Sequence, residues 1–131
     1  MEYKAKQAYD INDETHRSDL MSMILHAVDI GTATMPFTIF DMWGARCVQE
    51  FHDQWELEEA DDLGPSTGFL KYNGKKAYCR GQAGFVKSIV RPMWADLVTM
   101  FPQIQEALDN MDNNIECLEQ EASKLEKADA Y

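Results

Sequence analysis

The chain has 131 residues, of which 45% are hydrophobic and 27% are charged. This composition is typical of one folded domain and excludes a disordered or collagen-like chain. Twenty-three acidic against 12 basic residues give a formal net charge of −11, which disfavours binding to nucleic acid or to an anionic membrane surface. No apolar run approaches the roughly 20 residues of a membrane span, so we expect no membrane-spanning segment.

The cysteines indicate a reducing compartment. Cys47, Cys79 and Cys117 are widely spaced and form no CxxC pair, so neither a disulfide framework nor a thiolate zinc site is indicated. The first 14 residues lack the basic and then apolar order of a signal peptide. We therefore expect a soluble protein in the cytoplasm.

Helical periodicity dominates the first 100 residues. It predicts a helix from Glu14 to about Ile30 and a second helix that begins just after Pro36, a residue suited to the first turn. Turn residues predict a loop over roughly 63–76. A third helical stretch, 76–100, contains Pro92, which removes a backbone donor and is expected to kink or split the helix.

The last part of the chain has the clearest periodicity. After residue 102, apolar side chains recur at alternating steps of four and three residues: Ile104, Leu108, Met111, Ile115, Leu118, Ala122 and Leu125. This pattern predicts a long terminal helix, and we favour packing on its own domain over an intermolecular coiled coil. No alternating β pattern competes, so the predicted fold class is all-α.

Charge is divided into two adjoining blocks. Residues 49–62 contain seven acids and no Lys or Arg, whereas residues 63–95 contain six cations and no acid. A basic stretch in an acidic protein is suited either to an anionic ligand or to pairing with acids of the same fold. We favour pairing between the two blocks.

Asp29 is the first candidate for chemistry. It closes an apolar helix, lies three residues after His26, and precedes Gly31 and Thr32, which end the helix. A carboxylate in this position is suited to a hard cation. An acid near a helix end is also commonly a cap or an ion-pair partner, and both interpretations remain open.

Gln82 is the second candidate. It lies between Gly81 and Gly84, and Phe85 follows one turn later. An amide donates and accepts hydrogen bonds, so it is suited to the edge of a purine, while a phenyl ring offers a stacking face. The alternative is that the glycines permit close helix packing and Phe85 fills the core.

Several segments occur in one consistent order along the chain: Glu14 to Arg17, Leu25 to Ile30, Met35 to Trp43, Gln49 to Gln54, Gly81 to Val86, Pro92, Trp94, Ala107 to Asn110, and Asn113 with Asn114. Together they resemble the C-terminal part of the catalytic domain of class I 3′,5′-cyclic-nucleotide phosphodiesterases, an all-α domain of the HD type. The resemblance implies a lead-in over 1–13, a partial catalytic domain over 14–118, and the end of the last helix with a tail over 119–131.

The resemblance implies roles for the two candidates. Asp29 matches a family ligand of the tightly held metal, usually zinc, beside a second site usually filled by magnesium. Gln82 matches the glutamine that binds the purine, and Phe85 matches the ring that stacks on it. Cys47 falls on the opposing wall of the nucleotide pocket. Two further residues fall where the family has pocket aromatics: Phe40 and Trp43.

The family's other three metal ligands and its general-acid histidine have no counterpart in this chain, whose histidines are His16, His26 and His52. Zinc and magnesium are therefore implied only if ligands come from elsewhere, and we expect no hydrolysis of cAMP or cGMP by this chain alone. Three functions remain: half of a catalytic domain completed by an N-terminal half, an interaction subunit whose apolar faces a protein partner covers, and a cyclic-nucleotide sensor without chemistry. Preference between cAMP and cGMP stays open.

Overall fold

A computed structural model describes residues 9–128 of the chain and shows an all-α fold over them. Five α-helices account for most of these residues: α1 (Glu14–Asp29), α2 (Phe37–Ala60), α3 (Lys75–Phe85), α4 (Arg91–Met100) and α5 (Gln105–Ala128). The predicted fold class is confirmed. The loop between α2 and α3 covers residues 61–74, close to the predicted range.

The first two helices begin where the sequence signals them. The N–H groups of Thr15 and His16 donate to Asp13 Oδ1 over 2.8 and 3.1 Å, which caps the start of α1. A short 3₁₀ turn, Gly31–Thr34, follows α1. Pro36 then precedes the first residue of α2 with a φ of −52°, close to the helical value that proline imposes.

Pro92 divides the third helical stretch as predicted, but through a π-helical segment, Val86–Val90, rather than a sharp break. The N–H of Arg91 donates to the carbonyl of Val86, five residues earlier. A proline ring collides with the carbonyl four residues before it, and a widened turn removes that conflict. The chain therefore remains helical from α3 through to α4.

The core lies between α5 and the α3–α4 unit. Five side chains of α5 enter it: Leu108, Met111, Ile115, Leu118 and Ala122. They pack with buried residues of the other helices and of the 3₁₀ turn: Ala33, Phe40, Tyr78, Cys79, Ala83, Val86 and Val90. The periodic face of the last helix is thus buried within its own chain, as predicted, and is not free to bind a partner.

The basic stretch pairs with acids other than those predicted. Three of its cations bind carboxylates on α5: Arg80 with Glu126, Lys87 with Glu119 and Arg91 with Asp112. The predicted pairing with residues 49–62 is wrong for these three, because α3 and α4 pack along α5. Lys71 does reach the end of α2, but it lies 4.4 Å above the ring of Trp55.

Helix α1 leaves much of its apolar surface in solvent. Ala27 is its buried residue, whereas Met21, Leu25 and Val28 are exposed at 70%, 73% and 64%. Single exposed apolar residues are common, but a row on one helix is a feature of interaction surfaces. None of the helices in the described range is long and apolar enough to cross a membrane.

Candidate nucleotide-binding wall and Asp29

Side chains of α3 reach α2 at Gly44. A β-carbon at this position would lie 2.6 Å from Tyr78 Oη and 3.5 Å from Gln82 Oε1. Glycine therefore permits the contact, since real β-carbons essentially never approach another atom within 3.0 Å. The approach brings the amide of Gln82 to the face of α2 that also carries Cys47, one turn further along.

A small polar network fixes Tyr78 in this contact. Its hydroxyl donates to Asp41 Oδ1 over 2.9 Å, and Lys75 Nζ lies 3.4 Å from the same oxygen. Lys75 Nζ also lies 4.5 Å from the centre of the Tyr78 ring, a cation–π distance. Two causes raise the pKa of Tyr78: burial, which is the larger, and the hydrogen bond to Asp41. The hydroxyl therefore stays protonated and remains a donor.

Gln82 and Phe85 present chemically different groups on neighbouring turns of α3. Gln82 is half-buried, and Phe85 is 44% exposed. No atom lies within 4 Å of a β-carbon placed on Gly81 or Gly84, so the surface beside them is open. The glycines of α3 therefore clear space around the amide and the ring instead of packing against a neighbouring helix. Of the two sequence interpretations, the structure favours open space over close packing.

We use the term nucleotide-binding wall for Gln82 and Phe85 of α3 together with Trp43 and Cys47 of α2. The α2 residues in and behind this wall differ in how deeply they are buried. Trp43 is 45% exposed and carries Arg46 5.0 Å from its ring centre, while Cys47 is an exposed free thiol. Phe40, at 2% exposure, lies in the core behind the wall. Trp43 and Cys47 are accessible to a ligand in this structure, whereas Phe40 supports the surface from inside. Their roles in substrate binding stay predictions.

Asp29 lies at the exposed C-terminal end of α1, apart from other metal-ligating side chains among the described residues. Within residues 9–128, no group of three or more His, Cys, Asp or Glu side chains is placed to hold a metal ion. His26 is exposed, and His52 is engaged elsewhere, stacking on Trp55 and accepting the Tyr72 N–H at Nδ1. The described residues therefore do not fit zinc or magnesium by themselves, because such ions need several ligands in fixed geometry.

The sequence did not predict the roles of Gly44 and Tyr78. Two signals were available: a glycine interrupts the aromatic stripe of a helix, and a tyrosine stands four residues before the candidate glutamine. Neither signal identifies its partner, because the two residues are 34 positions apart.

Comparison with known proteins agrees with this fold and identifies a family. Residues 1–111 match the family model described as 3′5′-cyclic nucleotide phosphodiesterase. A probable 3′,5′-cyclic-AMP phosphodiesterase of Caenorhabditis elegans is 33% identical over 100 residues, which are 74% of this chain and 14% of that protein. The mouse 3′,5′-cyclic-AMP phosphodiesterase 4C is 28% identical over 109 residues, which are 81% of this chain and 15% of that protein.

The fold also matches a solved phosphodiesterase domain. The domain from the RhoPDE fusion protein of the choanoflagellate Salpingoeca rosetta superimposes with a TM-score of 0.82 and 28% identity, over 88% of this chain and 36% of that one. The chain thus spans about a third of the solved domain and about a seventh of the two relatives. The chain belongs to the 3′,5′-cyclic nucleotide phosphodiesterase family.

Proposed function

We propose that the chain supplies the nucleotide-binding wall of a 3′,5′-cyclic-nucleotide phosphodiesterase and one carboxylate, Asp29, of its metal site. The complete reaction is hydrolysis of a cyclic nucleotide to the 5′-monophosphate. The observation that carries the proposal is the placement of Gln82 against Gly44 of α2, with Phe85 exposed one turn further on.

The wall suits a purine base for two reasons. The Gln82 amide offers both a donor and an acceptor to the polar edge of the base, and the Phe85 ring offers a flat apolar face. Trp43 precedes Gly44 and Cys47 follows it by about one turn, and both side chains are exposed. Both relatives named above are described as cyclic-AMP phosphodiesterases, so cAMP is the first nucleotide to test and cGMP the second.

Hydrolysis requires groups that this chain does not supply. Asp29 is one oxygen ligand, and zinc and magnesium each need several. We propose that the other ligands come from a complementary N-terminal part of the domain. The exposed row Met21, Leu25 and Val28 on α1 offers an apolar surface for such a partner. The proposed compartment is the cytoplasm.

The second candidate function is an interaction subunit that has no catalytic role. The same row of α1 supports it, because a partner that covers these side chains gains hydrophobic burial whether or not it supplies metal ligands. The heptad face of α5 does not support it, since that face is buried in the chain. A nucleotide sensor without chemistry is a third function, which the Gln82–Phe85 surface would also serve.

Hydrolysis assays separate these functions. The chain is purified with its cellular partners, and cAMP and cGMP hydrolysis is measured for the wild type, for Asp29→Asn and for the matched control Asp96→Asn, an exposed residue on α4. Loss of hydrolysis with Asp29→Asn alone is the expected result. Unchanged hydrolysis with Asp29→Asn overturns the metal-ligand role. Binding of cAMP without any hydrolysis would identify the sensor, and absence of both would leave the interaction subunit.

A further inference from the structure

Two asparagine side chains of α5 bind the backbone of the turn between α1 and α2. Asn110 Nδ2 donates to the carbonyl of Thr34 over 2.8 Å. Asn114 Nδ2 donates to the carbonyls of Ala33 and Met35, both over 2.9 Å. Three consecutive carbonyls are therefore bound by residues that lie 76 or more positions away in the sequence.

Burial makes one of these hydrogen bonds especially important. Asn114 is fully buried and Ala33 is 2% exposed, so the hydrogen bond between them is shielded from water, whereas the bonds to Thr34 and Met35 are partly buried. A buried carbonyl without a partner is costly. Asparagine suits this position because one short neutral amide donates two hydrogen bonds, whereas a hydroxyl donates one and a buried ammonium requires a counter-charge. Asn110 and Asn114 are four residues apart, which places both on the same face of α5.

The turn connects Asp29 to the α2 side of the wall. Asp29 is two residues before the turn, and the α2 residues of the wall, Trp43 and Cys47, lie in the first half of the helix that follows it. Helix α1 also contacts α4, but Ala27 is its one fully buried residue and its outer side chains lie in solvent. The orientation of α1 relative to α2 therefore depends on the conformation of residues 31–35 together with the contact between α1 and α4.

We propose that Asn110 and Asn114 are positioning residues that hold the 31–35 turn and thereby set Asp29 relative to Trp43 and Cys47 on α2. The proposal rests on the proposed function, since Asp29 and the wall are the groups that it places. It extends that function by assigning a role to two residues that contact neither metal nor nucleotide.

The first measurement is amide hydrogen exchange on the 131-residue chain. Asn110→Ala removes one hydrogen bond and Asn114→Ala removes two. We expect exchange of amides 31–35 to rise about fivefold in Asn110→Ala and about fivefold to thirtyfold in Asn114→Ala, with α3 and the middle of α5 unchanged. Asn113→Ala is the matched control, because Asn113 is the exposed neighbour on the same helix.

The second measurement reports the orientation of α1 directly. Nitroxide labels are attached to the exposed thiol Cys47 and to Leu25→Cys, a position that is 73% exposed, with Cys117 replaced by Ser and the buried Cys79 left unlabelled. A narrow distance distribution is expected for the parent chain and for Asn113→Ala, and a broadened one for Asn110→Ala. Asn110→Gln keeps the amide donor at a partly exposed position and is expected to restore the narrow distribution.

The proposal is overturned if Asn110→Ala leaves both measurements unchanged, if its exchange rises equally throughout α3 and α5, or if Asn110→Gln behaves like Asn110→Ala. If Asn114→Ala fails to fold by circular dichroism, the Asn110 variants decide the result. Neither measurement uses a nucleotide or a metal, so failure of the Asp29 or Gln82 assignments leaves these outcomes unchanged, and the failure of one proposal can be distinguished from the failure of the other.

Discussion

Tyr78 Oη occupies the space that a β-carbon on Gly44 would need, at 2.6 Å from that position. The tyrosine cannot easily withdraw, because its hydroxyl donates to Asp41 and its ring is buried. The pair joins α3 to α2 at the point where Gln82 Oε1 also lies near Gly44.

The close approach predicts that Gly44→Ala destabilises the fold. Overpacking costs about 1–3 kcal/mol, which exceeds the helix-propensity gain of up to about 1 kcal/mol for replacing glycine with alanine. We expect the free energy of unfolding, measured in urea, to fall by up to about 2 kcal/mol. Gly81→Ala is the control, because its β-carbon meets no atom within 4 Å, and it is expected to gain about 0.5–1 kcal/mol. An equal gain in the free energy of unfolding for Gly44→Ala and Gly81→Ala would contradict a close contact between Tyr78 and Gly44.

The raised pKa of Tyr78 leads us to expect a loss of stability at alkaline pH. Its pKa is raised by burial and then by Asp41, so below the ordinary tyrosine pKa of 10.0 the folded and unfolded chains are equally protonated at this group. Above that pH the unfolded chain loses the proton first, and the free energy of unfolding falls as pH rises. In urea unfolding, the free energy of unfolding of Tyr78→Phe is expected to fall less steeply with pH above pH 10.0 than that of the wild type. The exposed control Tyr72→Phe is expected to behave like the wild type. Identical slopes for all three proteins would exclude this contribution.

The lowered pKa of Asp112 leads us to expect a loss of stability in acid. Arg91 Nε and Nη2 donate to its two carboxylate oxygens over 2.6 and 2.9 Å, and these bonds lower the pKa of Asp112. Stability from a lowered carboxyl pKa is present above the unfolded value of 3.8 and is lost as pH falls through the folded value. Both side chains are partly exposed, so Asp112→Asn is expected to cost only about 0.5 kcal/mol at pH 7.

Below pH 3.8, the free energy of unfolding measured in urea is expected to fall less with decreasing pH in Asp112→Asn than in the wild type. Asp96→Asn serves as the control on the neighbouring helix. An Asp112→Asn variant with the full wild-type acid dependence would show that the pair does not contribute.

We expect substitution of Gln82 to change the apparent affinity for the nucleotide. In the assembly that hydrolyses cAMP, Gln82→Ala is expected to raise KM about tenfold, because a hydrogen-bonding partner of the base is removed. A smaller effect on kcat is expected, since the amide lies on the base side of the substrate. The control is Gln103→Ala, an exposed glutamine in the turn between α4 and α5. A loss confined to kcat would remove Gln82 from the binding wall.

The helices could be predicted from the sequence because their signals are local. Pro36 precedes α2, Pro92 interrupts the third helical stretch, and the apolar steps of α5 match its buried face. The π-helical form of residues 86–90 was not predicted, since a proline signals a disturbance without specifying how the backbone relieves it.

The contacts that shape the site could not be predicted in the same way. Tyr78 meets Gly44 across 34 positions, and Asn114 binds Ala33 across 81. Charge counting likewise located the basic stretch but not its partners, because only the packing of α3 and α4 on α5 brings Arg91 to Asp112. Gln82 and Asp29 became candidates through residue type and motif order, and the structure adds the position of Gln82 beside Gly44 of α2.

Photoaffinity labelling tests the central claim most directly, because it identifies where the base lies. The chain with its cellular partners is irradiated with an azido derivative of cAMP, and labelled peptides are sequenced by mass spectrometry. The nucleotide-binding wall predicts labels on α2 around Trp43 and Cys47 and on α3 around Phe85, both suppressed by excess cAMP and reduced in Gln82→Ala. Labels on this chain confined to other helices, or labels that excess cAMP does not suppress, would contradict it.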